Sequence, residues 1–90
     1  MQRTIAITVT GKVQGVFFRQ STREKAVTLG INGTVANRPN GSVYIVATGT
    51  TEQLAALTAW SKIGPPRAVV TAVEVVDLEL WVFDGFKILR

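Results

Sequence analysis

Cysteine and histidine are both missing from this 90-residue chain. Without cysteine there is no disulfide, no thiol nucleophile and no thiolate metal site, which fits a reducing compartment. Without histidine a Ser-His-Asp triad, a phosphohistidine intermediate and a zinc site of the usual kind are excluded. Acids are scarce: Glu24, Glu52, Glu74, Asp77, Glu79 and Asp84 are all there are. No apolar run approaches the roughly 18 residues that a membrane-spanning helix needs. The first residues enter a strand almost at once and leave no room for a signal peptide, so a soluble, cytoplasmic protein is expected. Repeats, linkers and low-complexity segments are also lacking, so residues 1–90 are read as one domain with one core.

What is present is apolar and basic. An apolar content of 47% suits a packed core and argues against disorder. The net charge of +4 is unevenly placed. Residues 1–45 carry six bases (Arg3, Lys12, Arg19, Arg23, Lys25, Arg38) against Glu24, a balance of +5; residues 46–90 carry four bases against five acids, a balance of −1. A basic half favours an anionic ligand and steers it inward, although a solvated basic surface is common.

Along the chain, Arg3 to Thr10 alternates strictly. Ile5, Ile7 and Val9 face one way and Thr4, Ala6, Thr8 and Thr10 the other, as in a strand with one buried face. A helix follows over about Phe18 to Leu29, with Phe18, Thr22, Ala26 and Leu29 inward and Gly30 as its left-handed stop. Gly33–Asn37 is a short strand, Asn37 to Gly41 a turn with a strong Asn-Gly hairpin signal, and Ser42–Thr48 the returning strand. Thr50 and Gln53 are spaced as a capping box for a second helix, which carries Leu54, Leu57 and Trp60 and ends at Gly64-Pro65-Pro66. Val69 to Leu80 is a β-rich run. Its alternation shifts phase near Val75-Val76, where a bulge is expected. Phe86-Lys87-Ile88 suggests a last short strand. The order βαββαβ plus one strand predicts a two-layer α+β sandwich: an antiparallel sheet with two helices on one face and a short extra C-terminal strand, the ferredoxin-like arrangement. That fold hosts many functions, so activity has to be argued from the site.

The stretch the chain is organised around is Gly11-Lys12-Val13-Gln14-Gly15-Val16-Phe17-Phe18-Arg19, between the first strand and the first helix. A loop entering a helix leaves main-chain N–H groups unpaired, and the positive end of the helix dipole lies behind them. Together they make an anion site. A cation such as Arg19 in the first turn opposes that dipole unless something negative binds beside it. The loop reads as a phosphate cradle; the competing reading is an ordinary glycine-containing turn with an exposed arginine. None of the six acids falls in this loop or in the Asn37 turn, so no strong general base is at hand. That composition suits a substrate with an easy leaving group. An acyl phosphate has one, because its departing carboxylate has a pKa of about 4 and needs no acid catalyst, and phosphoryl transfer asks mainly for positioning and charge stabilisation. The amide of Asn37 can orient a water without deprotonating it; equally, asparagine there can simply form a turn.

The Gly11–Arg19 stretch resembles the signature of the acylphosphatase family. The resemblance continues through Leu29-Gly30, Gly33-Thr34-Val35-Ala36-Asn37, Asn40-Gly41-Ser42-Val43, Gly49, Gly64-Pro65 and Phe86-Lys87-Ile88. It covers nearly the whole chain in order and spacing, departing at the hairpin tip, where Asn40 stands in place of the acid common in the family. It implies an enzyme that hydrolyses the carboxyl–phosphate bond of acyl phosphates. Arg19 and the main-chain amides of Gln14, Gly15, Val16, Phe17 and Phe18 would hold the phosphoryl group, and Asn37 the attacking water. The implied enzyme needs no metal or cofactor. Its expected partners are a small acyl phosphate and product phosphate, with no nucleic acid and no membrane, and it is expected to be a monomer. Lys12, Phe17, Phe18, Thr22, Trp60 and Trp81 take ordinary packing or surface readings. A nucleic-acid-binding module is the alternative, on fold class and charge, but Tyr44 is a thin stacking surface. A carbamoyl phosphate-binding domain of a larger enzyme is a third reading, since such domains resemble this family.

Overall fold

The computed structural model describes residues 1–89, leaving out Arg90. Its elements are β1 (Gln2–Lys12), α1 (Phe18–Leu29), β2 (Asn32–Asn37), β3 (Val43–Thr50), α2 (Thr51–Ser61), β4 (Val69–Leu78) and β5 (Phe86–Leu89). The sheet order is β4-β1-β3-β2-β5. The first four strands pair antiparallel; β5 lies parallel to β2, with Val35 opposite Ile88. This is the expected two-layer α+β, ferredoxin-like fold.

The core follows from the alternation. Ile5, Ile7 and Val9 of β1 and Val43, Ile45 and Ala47 of β3 pack with Phe18 and Ala26 of α1 and Leu54 and Leu57 of α2. Each large side chain so buried contributes about 1.5–3 kcal/mol. α1 has the expected bounds. α2 opens with the full capping box: Thr50 Oγ1 accepts from Gln53 N at 3.1 Å, and Gln53 Oε1 accepts from Thr50 N at 2.8 Å.

Two expectations are corrected, and the place of β4 explains the second. The outer face of β1 is covered at Thr4 and Ala6, and the β4–β5 connection reaches Thr4. Trp81 N donates to Thr4 Oγ1 at 2.9 Å, and Thr48 Oγ1 donates to Trp81 O at 2.7 Å. The bulge is not at Val75-Val76, which sit in continuous register opposite Ile7 and Ala6; the register shifts between Thr10 and Gly11. Gly11, at φ 130°, allows the close approach there, since a Cβ would lie 2.2 Å from the Val69 carbonyl oxygen. Finally, β4 is an edge strand, and its Val75, Val76 and Leu78 remain exposed. With little of it buried, its apolar phase carries no register information.

Candidate active site

The segment 13–17 is pinned from beneath. Val13 and Val16 are buried, so the loop cannot lift away, while Gly15 stays exposed. Two of its residues have left-handed backbones: Gly15 at φ 73° and Phe17 at φ 64°, ψ 25°. For Gly15 this conformation is cheap. For Phe17 it costs about 1–2 kcal/mol. Phe17 is also the N-cap of α1, a position that serine or aspartate fills best. Its side chain makes no cap, and the first turn holds no acid. Among the described residues, the amides of Gln14 to Phe18 donate to no main-chain carbonyl. The start of α1 therefore presents unpaired donors and an uncompensated dipole.

Arg19 stands in the first turn above this loop, half-buried. Its Nη1 donates to the Leu89 carbonyl oxygen across a long 3.4 Å, the one side-chain hydrogen bond it makes among the described residues, for a planar group with about five donors. The remaining fork suits a tetrahedral oxyanion. The carbonyl comes from β5, which reaches this end of the sheet by pairing with β2.

Asn37 ends β2 opposite Val43 and is exposed. The hairpin beyond it is held by other groups. Asn40 Oδ1 accepts from Ser42 N at 3.0 Å and from Ser42 Oγ at 2.7 Å, and Arg38 N donates to Ser42 O at 2.9 Å. The departure at Asn40 thus keeps the turn chemistry. Gln14 spans the gap between loop and hairpin: its Nε2 donates to Arg38 O at 2.8 Å and to Ser42 O at 3.0 Å.

Between these parts lies an open cleft of about 630 Å³, lined by Val13, Gly15, Phe17, Phe18, Arg19, Gln20, Asn37 and Ile88. It brings together Gly15, Phe17, Phe18, Arg19 and Asn37 from the sequence reading. Gln14 and Val16 are off its wall: the Gln14 side chain turns to the hairpin, and that of Val16 points inward. The packing reading of Phe18 and Thr22 holds, both being buried. For Phe17 it does not, because 72% of the residue is exposed beside the cleft. Left-handed backbone at position 17 turns its side chain away from the core that Phe18 enters. Gln20, Ile88 and the Leu89 carbonyl escaped the sequence reading. Gln20 was legible as the next residue of the first turn. The other two depend on the parallel β2–β5 pairing, which leaves no local mark.

The chemistry of the cleft is one-sided. Among the described residues, Arg19 is its sole charged lining residue and no acid lines it. No cluster of metal-ligating side chains occurs among the described residues. Tyr44 carries the Arg38 guanidinium over its ring at 3.6 Å, so its face is already covered. None of the helices is long and apolar enough to cross a membrane.

Comparison with known proteins agrees over the full length. The acylphosphatase family model matches residues 5–88. A protein named acylphosphatase from Thiobacillus denitrificans is 49% identical over 85 residues, 94% of either chain. An acylphosphatase structure from Coxiella burnetii superposes with a TM-score of 0.95 at 40% identity, covering 98% of this chain and 93% of that one. The crystal structure of acylphosphatase from Bacillus subtilis gives 0.94 at 33% identity, covering all of both.

Proposed function

This chain belongs to the acylphosphatase family, and from that premise we propose that its cleft hydrolyses acyl phosphates to carboxylate and inorganic phosphate, with Arg19 holding the phosphoryl group and Asn37 the attacking water. The observation that carries this reading is the meeting, on one cleft, of an uncapped helix N-terminus, the Arg19 guanidinium and the Asn37 amide.

The phosphoryl oxygens sit against the amides of Gln14 to Phe18, with the Arg19 fork over them. Val16 and Phe18 offer main chain only, since their side chains are buried. These fixed donors match the charge that spreads over the phosphoryl oxygens as the bond to the acyl oxygen loosens. Asn37, relieved of the turn by Asn40, accepts a hydrogen bond from a water and aims it at phosphorus, in line with the departing carboxylate. The water gives up its proton late, as phosphate forms, so a strong base is not needed. The leaving carboxylate is stable as it departs and takes no proton. The same site is poor for monoesters, whose alkoxide leaving group needs an acid.

In this reading the enzyme works without metal or cofactor, because the sequence has neither histidine nor cysteine and its acids lie away from the cleft. Residues 1–90 act as one domain, as a cytoplasmic monomer that has no nucleic-acid partner and does not engage a membrane. The test is hydrolysis of benzoyl phosphate in excess chelator. Full turnover is expected; activity lost on chelation and restored by magnesium would sink the metal-free mechanism.

A further inference from the structure

Phe17 is the one residue of the cleft that local structure does not explain. It is a non-glycine residue in left-handed backbone, its ring is 72% exposed, and it occupies a helix cap without capping. Backbone strain combined with an exposed aromatic points to a function at the spot where both occur. Ile88, 36% exposed on the neighbouring β5, lines the same cleft. The wall is thus divided. Gly15, Arg19 and Asn37 offer donors and a charge, while the side chains of Phe17 and Ile88 offer only carbon.

Resting on the reading of the cleft as an acyl phosphate site, we propose that Phe17 and Ile88 form the acyl-group subsite and select substrates with a large apolar acyl group, aryl above all. The donor side holds the phosphoryl end. The acyl end then lies along the carbon side, where an aryl ring stacks on Phe17 and covers Ile88. An acetyl group has one methyl and leaves most of that surface wet. Among the described residues, Arg19 is the sole charged one on the wall and serves the phosphoryl group, leaving no second charge to meet an acyl group that bears its own. Selection of this kind is worth roughly tenfold or more, since even one added methylene in an apolar pocket changes kcat/KM by about that factor.

The test compares benzoyl phosphate with acetyl phosphate for the wild-type chain, Phe17→Gly and Ile88→Ser, each with a melting curve. Glycine accepts the left-handed backbone, so Phe17→Gly is expected to fold. The readout is the ratio of kcat/KM for benzoyl over acetyl phosphate. It is expected to exceed about ten in the wild type and to fall several-fold in either variant, further in Phe17→Gly. A wild-type ratio near one, or a ratio unmoved in both folded variants, would overturn the subsite while leaving the hydrolase reading intact. Wild-type protein that hydrolyses neither substrate would overturn the parent reading and this one with it.

Discussion

Arg19 and Asn37 are assigned different partners, and that difference can be measured. In the proposed mechanism Arg19 binds the phosphoryl group in ground and transition states alike, through a planar fork that lysine cannot copy. Arg19→Lys is therefore expected to weaken phosphate binding and turnover together, each by about tenfold or more, the scale of losing one hydrogen bond to a charged group. In the same proposal Asn37 touches the attacking water. Asn37→Ala is expected to cut kcat by about 100-fold while phosphate affinity stays nearly constant. Phosphate affinity is read from the rise in melting temperature with added phosphate, so one titration series serves both variants. Near-normal turnover in folded Asn37→Ala would reduce Asn37 to a strand-end residue. At this scale the sequence was informative where a side chain's role is local. Arg19 in the first turn, Gly30 after the last and Thr50 with Gln53 at the cap are all set by neighbours within four positions. Phe17 was misread because adjacent phenylalanines look alike until the backbone between them turns left-handed.

Between elements, the connection that matters is the Gln14 side chain. It spends both amide protons on carbonyls of the β2–β3 hairpin, which joins the cradle loop to the turn that follows Asn37. Gln14 is a positioning residue in this account, acting on Asn37 through the hairpin. Gln14→Ala and Gln14→Glu both remove the donors; the second keeps the length. Each variant is expected to lower kcat more than it weakens phosphate binding, and to lower the melting temperature by roughly 4–8 °C for each kcal/mol lost. A Gln14→Glu protein with wild-type kcat would show that packing, rather than donation, is what the position supplies. Sequence pattern could not reveal this bridge, nor the parallel β2–β5 pair that brings Ile88 and the Leu89 carbonyl to the cleft. Both join residues more than 20 apart in the chain, and long-range pairing is written in the packing of the whole sheet. The same reason explains β4. Its phase shift suggested a bulge, yet an exposed edge strand can carry apolar residues on either face without bending.

For the molecule as a whole, the charge imbalance and the fold agree. The half of the chain with a balance of +5 (residues 1–45) supplies β1, the cradle loop, α1 and β2, the elements that build most of the cleft, and a basic bias of this kind favours the approach of anions. The fold was readable because each buried strand alternates and each helix is bounded by glycine, proline or a capping box. The cleft was readable in part, as its donors lie on one continuous stretch. Its acyl side was not, since Phe17 and Ile88 meet only after folding. The central claim is that water attacks phosphorus, with the phosphoryl group held by Arg19 and the loop amides. It is tested most directly by hydrolysing benzoyl phosphate in water enriched in heavy oxygen and weighing the products. The label is expected in inorganic phosphate and not in benzoate; label in the benzoate would mean attack at the acyl carbon and would contradict the arrangement assigned to this cleft.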